Sequence, residues 1–328
     1  MTEDEQKPTV AQEARSFRGS WSARRLVFLA LKLLIIVVVL WFIRRTLIEA
    51  WAELQRRPLH IAFAPLLLSG GLYLGGTFFC GLFWQRVLHS LGQKVSLWQA
   101  LGAYYVGHLG KYVPGKAMVV VLRAGMISSA GGDAALTVAA VFFETFTMIA
   151  SGAFLAAVII AAAFPFRWSL VFTALSVMII TLLPTVPPVF RWLVRRLALG
   201  RLSPETADNL AGLSFSLTGL GWLLNLAGWA MLGLSYTAVL WAIGAGAFAH
   251  VHLHVAAVCL ATVVGFVSFL PAGAVVREAI LAEMMASRLG GATALTAALL
   301  LRLVWLTAEL AVAGGIFFGS IIGRIIRR

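Results

Sequence analysis

Charge is scarce in this chain. Only 12% of its 328 residues are Asp, Glu, Lys or Arg, and just 13 are acidic. Long polar stretches are missing as well; the longest, near Arg191 to Asn209, is too short to bury a core of its own. No soluble catalytic domain therefore fits. Neither GxSxG nor HExxH occurs, so those hydrolase constellations are absent. The two cysteines, Cys80 and Cys259, both lie inside apolar segments, which leaves no disulfide framework and no CxxC metal site. No cofactor is expected.

What is there is mostly apolar. Hydrophobic residues make up 61% of the chain, and runs of bilayer-spanning length recur from Val27 to Phe318. The expected fold class is an all-α polytopic membrane protein. The net charge of +13 does not point to nucleic acid, because the cations are scattered through short flanks and loops with no binding motif beside them. Anionic lipid headgroups are the better partner for that charge.

Residues 1 to 20 are polar and mixed in charge, and no small-residue cleavage pattern follows the first apolar run. They are expected to form a disordered cytoplasmic tail leading into an uncleaved anchor, with 21 to 328 as one transmembrane domain. Arg15, Arg18, Arg24 and Arg25 precede a first span near Leu26 to Ile43 and favour an N-terminus inside. A second span runs from about Ile61 to Phe83. Its Gly71 and Gly75 are spaced for close helix contact, or simply face lipid.

Two later regions resemble each other. Between Leu97 and Ile127, two apolar half-segments flank Pro114, Gly115 and Lys116, and a long span from Asp133 to Ala163 follows. Between Val255 and Met285, two half-segments flank Pro271, Ala272 and Gly273, and a long span from Ala292 to Gly319 follows. Both long spans open with Ala-Leu-Thr, at 135 to 137 and 294 to 296, and each carries a buried-looking charge a similar distance beyond its proline, Glu144 in the first and Arg302 in the second. We read an internal repeat, about 97–163 and 255–319, with a broken hairpin in each copy; chance similarity among apolar sequences is the alternative.

With further spans at 168 to 190 and 212 to 243, the first hairpin starts from the cytoplasm and the second from outside. The repeats are then inverted and both termini are cytoplasmic, in a multi-pass protein of the cell (inner) membrane. Arg86, Lys94, the run Arg191, Arg195, Arg196 and Arg201, and the terminal Arg324, Arg327 and Arg328 all fall inside. Arg44, Arg45, Arg56 and Arg57 fall outside, against the rule, partly offset by Glu49 and Glu53. Re-entrant and fully crossing hairpins have the same parity, so both remain open.

The stretch Tyr105 to Arg123 concentrates the chemistry. Lys111, Lys116 and Arg123 would cost about 8 to 10 kcal/mol together if left unpaired at the bilayer centre, at about 2.5 to 3.5 kcal/mol each. Gly110 to Ala117 is one residue from a phosphate-binding loop, but alanine replaces the magnesium-binding Ser or Thr and no strand precedes it. Nucleotide hydrolysis is not expected. The physics of backbone and half-helix termini facing an anion still applies. Arg123, Arg277 and Arg302 have a purely structural reading, pairing with Glu144, Glu278 or Glu309; Glu283 adds a fourth acid. Placement at two chain breaks favours a substrate site near the midplane. His250, His252 and His254 alternate in a pattern a helix would splay apart, so interfacial histidine is preferred over metal. His108, beside Lys111, is the histidine placed to respond to pH.

The pattern Pro114, Gly115, Lys116 with Arg123, then Pro271, Gly273, Arg277 and Glu278, then Arg302, resembles the lysylphosphatidylglycerol synthase transmembrane region, a flippase-like family. The resemblance covers nearly everything after the tail. It implies re-entrant segments and movement of aminoacylated or other phospholipids between leaflets, and it marks Pro114, Gly115, Arg123, Gly273, Arg277 and Glu278 as site residues. The soluble aminoacyl-transfer domain of the synthase is not in this sequence, so lipid aminoacylation is not inferred. Ala272, Ala274 and Val275 stand in a stretch that is richer in glycine in the family, and Glu144 is followed by Thr145 where relatives commonly have arginine.

The expected function is non-enzymatic: translocation of an anionic or phosphate-bearing lipid. Lys111, Lys116, Arg123, Arg277 and Arg302 would meet the phosphate, with Glu144 and Glu278 orienting arginines. The alternative is a non-transporting subunit that binds anionic lipid and docks a separate lipid-modifying or glycan-assembly enzyme. Arg123 and Arg277 are expected to approach one shared cavity.

Overall fold

Ser96 and Gln99 carry a sequence signature for a helix start, and the computed structural model shows the complete capping box. The Ser96 hydroxyl accepts from the Gln99 backbone N–H at 3.3 Å, while the Gln99 carboxamide accepts from the Ser96 N–H at 2.9 Å. Asp133 and Ser214 cap two further helices through the N–H groups of Leu136 and Leu217. Helix ends are equally explicit. At Gly92, Gly131 and Gly244, all with positive φ, the chain leaves a helix in a Schellman turn, as in the bonds from Gln93 N to Leu88 O and from Gly92 N to His89 O.

The structure describes residues 61–113, 117–163, 168–197, 204–245, 248–268 and 270–326. The expected tail at 1 to 20, the first span at 26 to 43, the loop arginines 44 to 57, and Pro114, Gly115, Lys116, Arg201, Arg327 and Arg328 lie outside them. The helices are α1 (Phe63–Ser90), α2 (Leu97–His108), α3 (Ala117–Ser129), α4 (Ala134–Ala163), α5 (Trp168–Leu182), α6 (Pro187–Leu197), α7 (Pro204–Asn209), α8 (Phe215–Ala242), α9 (Val251–Val267), α10 (Val276–Leu289) and α11 (Gly291–Ile326). No strand occurs among the described residues. Five helical segments there are long and apolar enough to cross a membrane: Phe63–Ser90, Ala134–Ala163, Phe215–Ala242, Phe248–Val267 and Gly291–Gly319. The chain is a multi-pass, all-α membrane protein.

Two expectations need correction. The span read at 168 to 190 is not continuous: Pro184, Pro187 and Pro188 interrupt it, and the chain bends by 74° between the segments Val171–Thr185 and Pro187–Leu197. The close helix contact read at Gly71 and Gly75 holds at Gly75, where a Cβ would lie 2.4 Å from Met231 Cε of α8, but not at Gly71. A Cβ at Gly71 would meet nothing within 4 Å, whereas one at Gly76 would lie 2.9 Å from the Gly228 carbonyl oxygen, so it is Gly76 and Gly228 that let α1 and α8 touch backbone to backbone.

The order of elements repeats. A helix, a 3-10 turn, a second helix and a long helix run as α2, Leu109–Tyr112, α3, α4, and again as α9, Pro271–Gly273, α10, α11. Each helix pair is closed at its base by one hydrogen bond. Gln93 Oε1 accepts from Asp133 N at 2.7 Å at the first, and Arg288 and His250 meet at 3.3 Å at the second. The ends of each broken segment therefore lie side by side. The two 3-10 turns at the breaks pack against each other. At about 1.5 Å rise per residue, α2 and α3 span only about 18 and 20 Å, well short of a hydrocarbon layer about 30 Å thick.

Candidate functional site

The charges of the broken segments are held by side chains from the long helices. Arg123 on α3 is 2% exposed, and its Nη1 donates to Glu144 Oε2 on α4 at 3.1 Å. The other Glu144 oxygen accepts from the Tyr104 hydroxyl at 3.0 Å. The Arg123 guanidinium lies 3.8 Å from the Tyr104 ring centroid and 5.1 Å from that of Trp84, so its charge faces aromatic surface as well as carboxylate. Gly107 makes room for it: a Cβ there would lie 2.5 Å from Arg123 Cγ.

At the second break the signs are exchanged. Glu278, from the broken segment, accepts at 2.8 Å from Nη1 of Arg302 on the long helix α11, and both side chains are 7% exposed. At both breaks a charge from the broken segment meets the opposite charge from the following long helix, acid and base having traded places. Both pairings were among those the residue types allowed.

A third pair joins the two broken regions. Lys111, in the turn after α2, bonds Glu309 on α11, and the Tyr73 hydroxyl of α1 donates to the same Glu309 oxygen. Tyr73 stacks on Trp305 with centroids 4.4 Å apart, and the Arg277 guanidinium lies 4.1 Å from the Trp305 ring. Arg302, Trp305 and Glu309 are spaced i, i+3, i+7, so α11 presents all three on one stripe.

Arg277 is the exception among these cations. It is 8% exposed, its Nη2 is buried without a hydrogen-bond partner, and among the described residues no carboxylate is within ion-pair distance. His108 stacks on Tyr104, with centroids 5.6 Å apart, and lies within electrostatic reach of Lys111, Arg123 and Arg277 together. The first and second breaks meet through their 3-10 turns. Gly273 sits at φ +65° with its Cα facing Gly265. Ala272 at φ +51° and Val275 at φ +70° hold glycine-like conformations despite their side chains.

Several expected members fall away. Glu283 is exposed on α10 and takes no part. His250 and His252 lie edge to face with ring centroids 6.4 Å apart, while His254 is bonded to Thr237 at 2.9 Å and His250 to Arg288. No group of metal-ligating side chains occurs among the described residues. Sequence reasoning missed Tyr73, Tyr104, Trp84 and Trp305. Only Trp305 had a legible signal, its place between Arg302 and Glu309 on one helical stripe. The model of the family described as "Lysylphosphatidylglycerol synthase TM region" matches residues 29–313. No curated protein matches the chain.

Proposed function

The chain belongs to the lysylphosphatidylglycerol synthase transmembrane family, and from that premise we propose that it is a lipid translocator for an anionic or phosphate-bearing lipid of the cell membrane. The observation that carries this is Arg277. A buried guanidinium with an unpartnered amino group is costly unless an anion meets it. Lys111, Arg123 and Arg302 already have Glu309, Glu144 and Glu278. That leaves Arg277 to receive a phosphate oxygen, with Trp305 holding the guanidinium plane in place.

In this reading each broken segment is a re-entrant hairpin and the two are inverted. The base at Gln93 and Asp133 faces the cytoplasm, the base at His250 and Arg288 faces outside, and both termini are cytoplasmic. The tips meet at the level where a headgroup would cross, which is why packing of the two turns supports the proposal. Gly273 belongs to the second tip and would let backbone approach the headgroup, and the sequence motif Pro114, Gly115 and Lys116 is assigned the same role at the first. Glu144 and Glu278 hold Arg123 and Arg302 in place while the site is empty. No nucleotide motif accompanies the site, so movement is downhill or coupled to ions or membrane potential, and no enzymatic step is involved.

The test is leaflet exchange of fluorescent phospholipids in proteoliposomes. Wild-type protein should accelerate exchange of an anionic phospholipid over empty vesicles. Exchange no faster than in empty vesicles, across several headgroups, would overturn the proposal.

A further inference from the structure

Glu309 carries an observation that headgroup binding does not use. It is 2% exposed on α11; its Oε1 takes both Tyr73 and Lys111, while its Oε2 is buried with no partner. The charged and titratable groups around it come from every neighbouring element: Tyr73 from α1, Lys111 and Tyr112 from the first break, Arg277 from α10 and Arg302 from α11 itself. His108 faces Lys111 and Arg277 from α2. Among these groups Glu309 is a resident anion with a vacant oxygen, tied to the cation nearest the turn.

We propose that Glu309 is a proton-coupling carboxylate, which takes up a proton at Oε2 when an anionic headgroup engages Lys111 and Arg277. The inference rests on the lipid-site reading above. Its logic is charge balance. With the site empty, ionised Glu309 neutralises Lys111. A phosphate arriving at Lys111 and Arg277 would stand close to that carboxylate in a medium that screens poorly, so like charges repel unless one is neutralised. A proton on Oε2 removes the repulsion and leaves Oε1 able to accept from Tyr73. Lys111 is then free for the phosphate. Bond bookkeeping is simple: one O–H bond forms at Oε2 with a proton from solvent, and it breaks when the lipid leaves.

By linkage, proton uptake on binding means that affinity for the lipid rises as pH falls. The measurement is proton uptake from weakly buffered detergent solution, read with an indicator dye while short-chain phosphatidylglycerol is titrated into purified protein, with binding followed in parallel by calorimetry. Wild-type protein should take up about one proton per lipid bound, and E309Q, which keeps the shape and the Tyr73 contact, should bind with uptake near zero. Tyr73→Phe should retain the uptake. Binding by wild type without uptake, or equal uptake by folded E309Q, would overturn the coupling role and leave the lipid site standing. Absence of wild-type binding would remove the lipid site and this inference together. Should E309Q elute as aggregate, E309D decides: with a carboxylate preserved, uptake persists, and its loss there would also overturn the role.

Discussion

The Arg277 guanidinium stacks against Trp305, 4.1 Å from the ring centroid, and among the described residues no carboxylate completes it. Each of the other three buried or half-buried cations at this site has a carboxylate partner: Lys111 and Arg123 from the long helices, Arg302 from the second broken segment.

Arg277→Ala should weaken binding of short-chain phosphatidylglycerol by about ten- to a hundredfold, the equivalent of one lost charge-assisted hydrogen bond. Thermal unfolding in detergent should not be lowered by the loss of charge, because no protein partner is stranded. A fall in stability with unchanged binding would assign Arg277 to packing instead.

Arg123→Ala should behave in the opposite way. It leaves Glu144 buried with only Tyr104 and Thr145 as donors, at a cost of about 3 to 5 kcal/mol. The double variant Arg123→Ala with Glu144→Gln should recover part of that loss. The same cycle at Glu278 and Arg302 should show coupling of the same sign, and the check is unfolding of the four variants of each cycle.

Gly107→Ala should displace Arg123, since the new methyl would lie 2.5 Å from its Cγ. Destabilisation of about 1 to 3 kcal/mol is expected from overpacking, with slower lipid exchange as the readout of the displaced side chain.

Val275→Gly should stabilise the protein. A β-branched residue at φ +70° carries strain of about 1 to 3 kcal/mol, which exceeds the entropic cost of about 0.5 to 1 kcal/mol for placing glycine there. A higher melting temperature is the expected result. The break would also become more flexible, so lipid exchange should be recorded alongside.

Opposite orientation of the two hairpins is checked by cysteine labelling in intact cells. Cys80 and Cys259 are buried and should stay silent. Lys94→Cys and Ser129→Cys, at the first base, should be shielded from an impermeant reagent, and His252→Cys and Arg288→Cys, at the second, should react. Labelling of all four from one side would remove the inversion.

Proline, glycine and run length act locally, so the breaks near Pro114 and Pro271, the long helices after them and the apolar character of nearly every segment were readable residue by residue. The 74° bend before α6 was readable too, in Pro184, Pro187 and Pro188, but the uniform apolarity of the run masked it. Charge counting narrowed the pairing, because few acids were available. It left undecided which acid meets which base: Lys111 and Glu309 are 198 residues apart, and only packing of α11 beside the first break joins them. The aromatic members were less legible still. Tyr73 and Tyr104 sit in helices where every face is apolar, so periodicity could not mark the side that turns toward a charge. That side is set by how α1, α2, α4 and α11 close around one another, and it is the closure that leaves Arg277 without a carboxylate among the described residues.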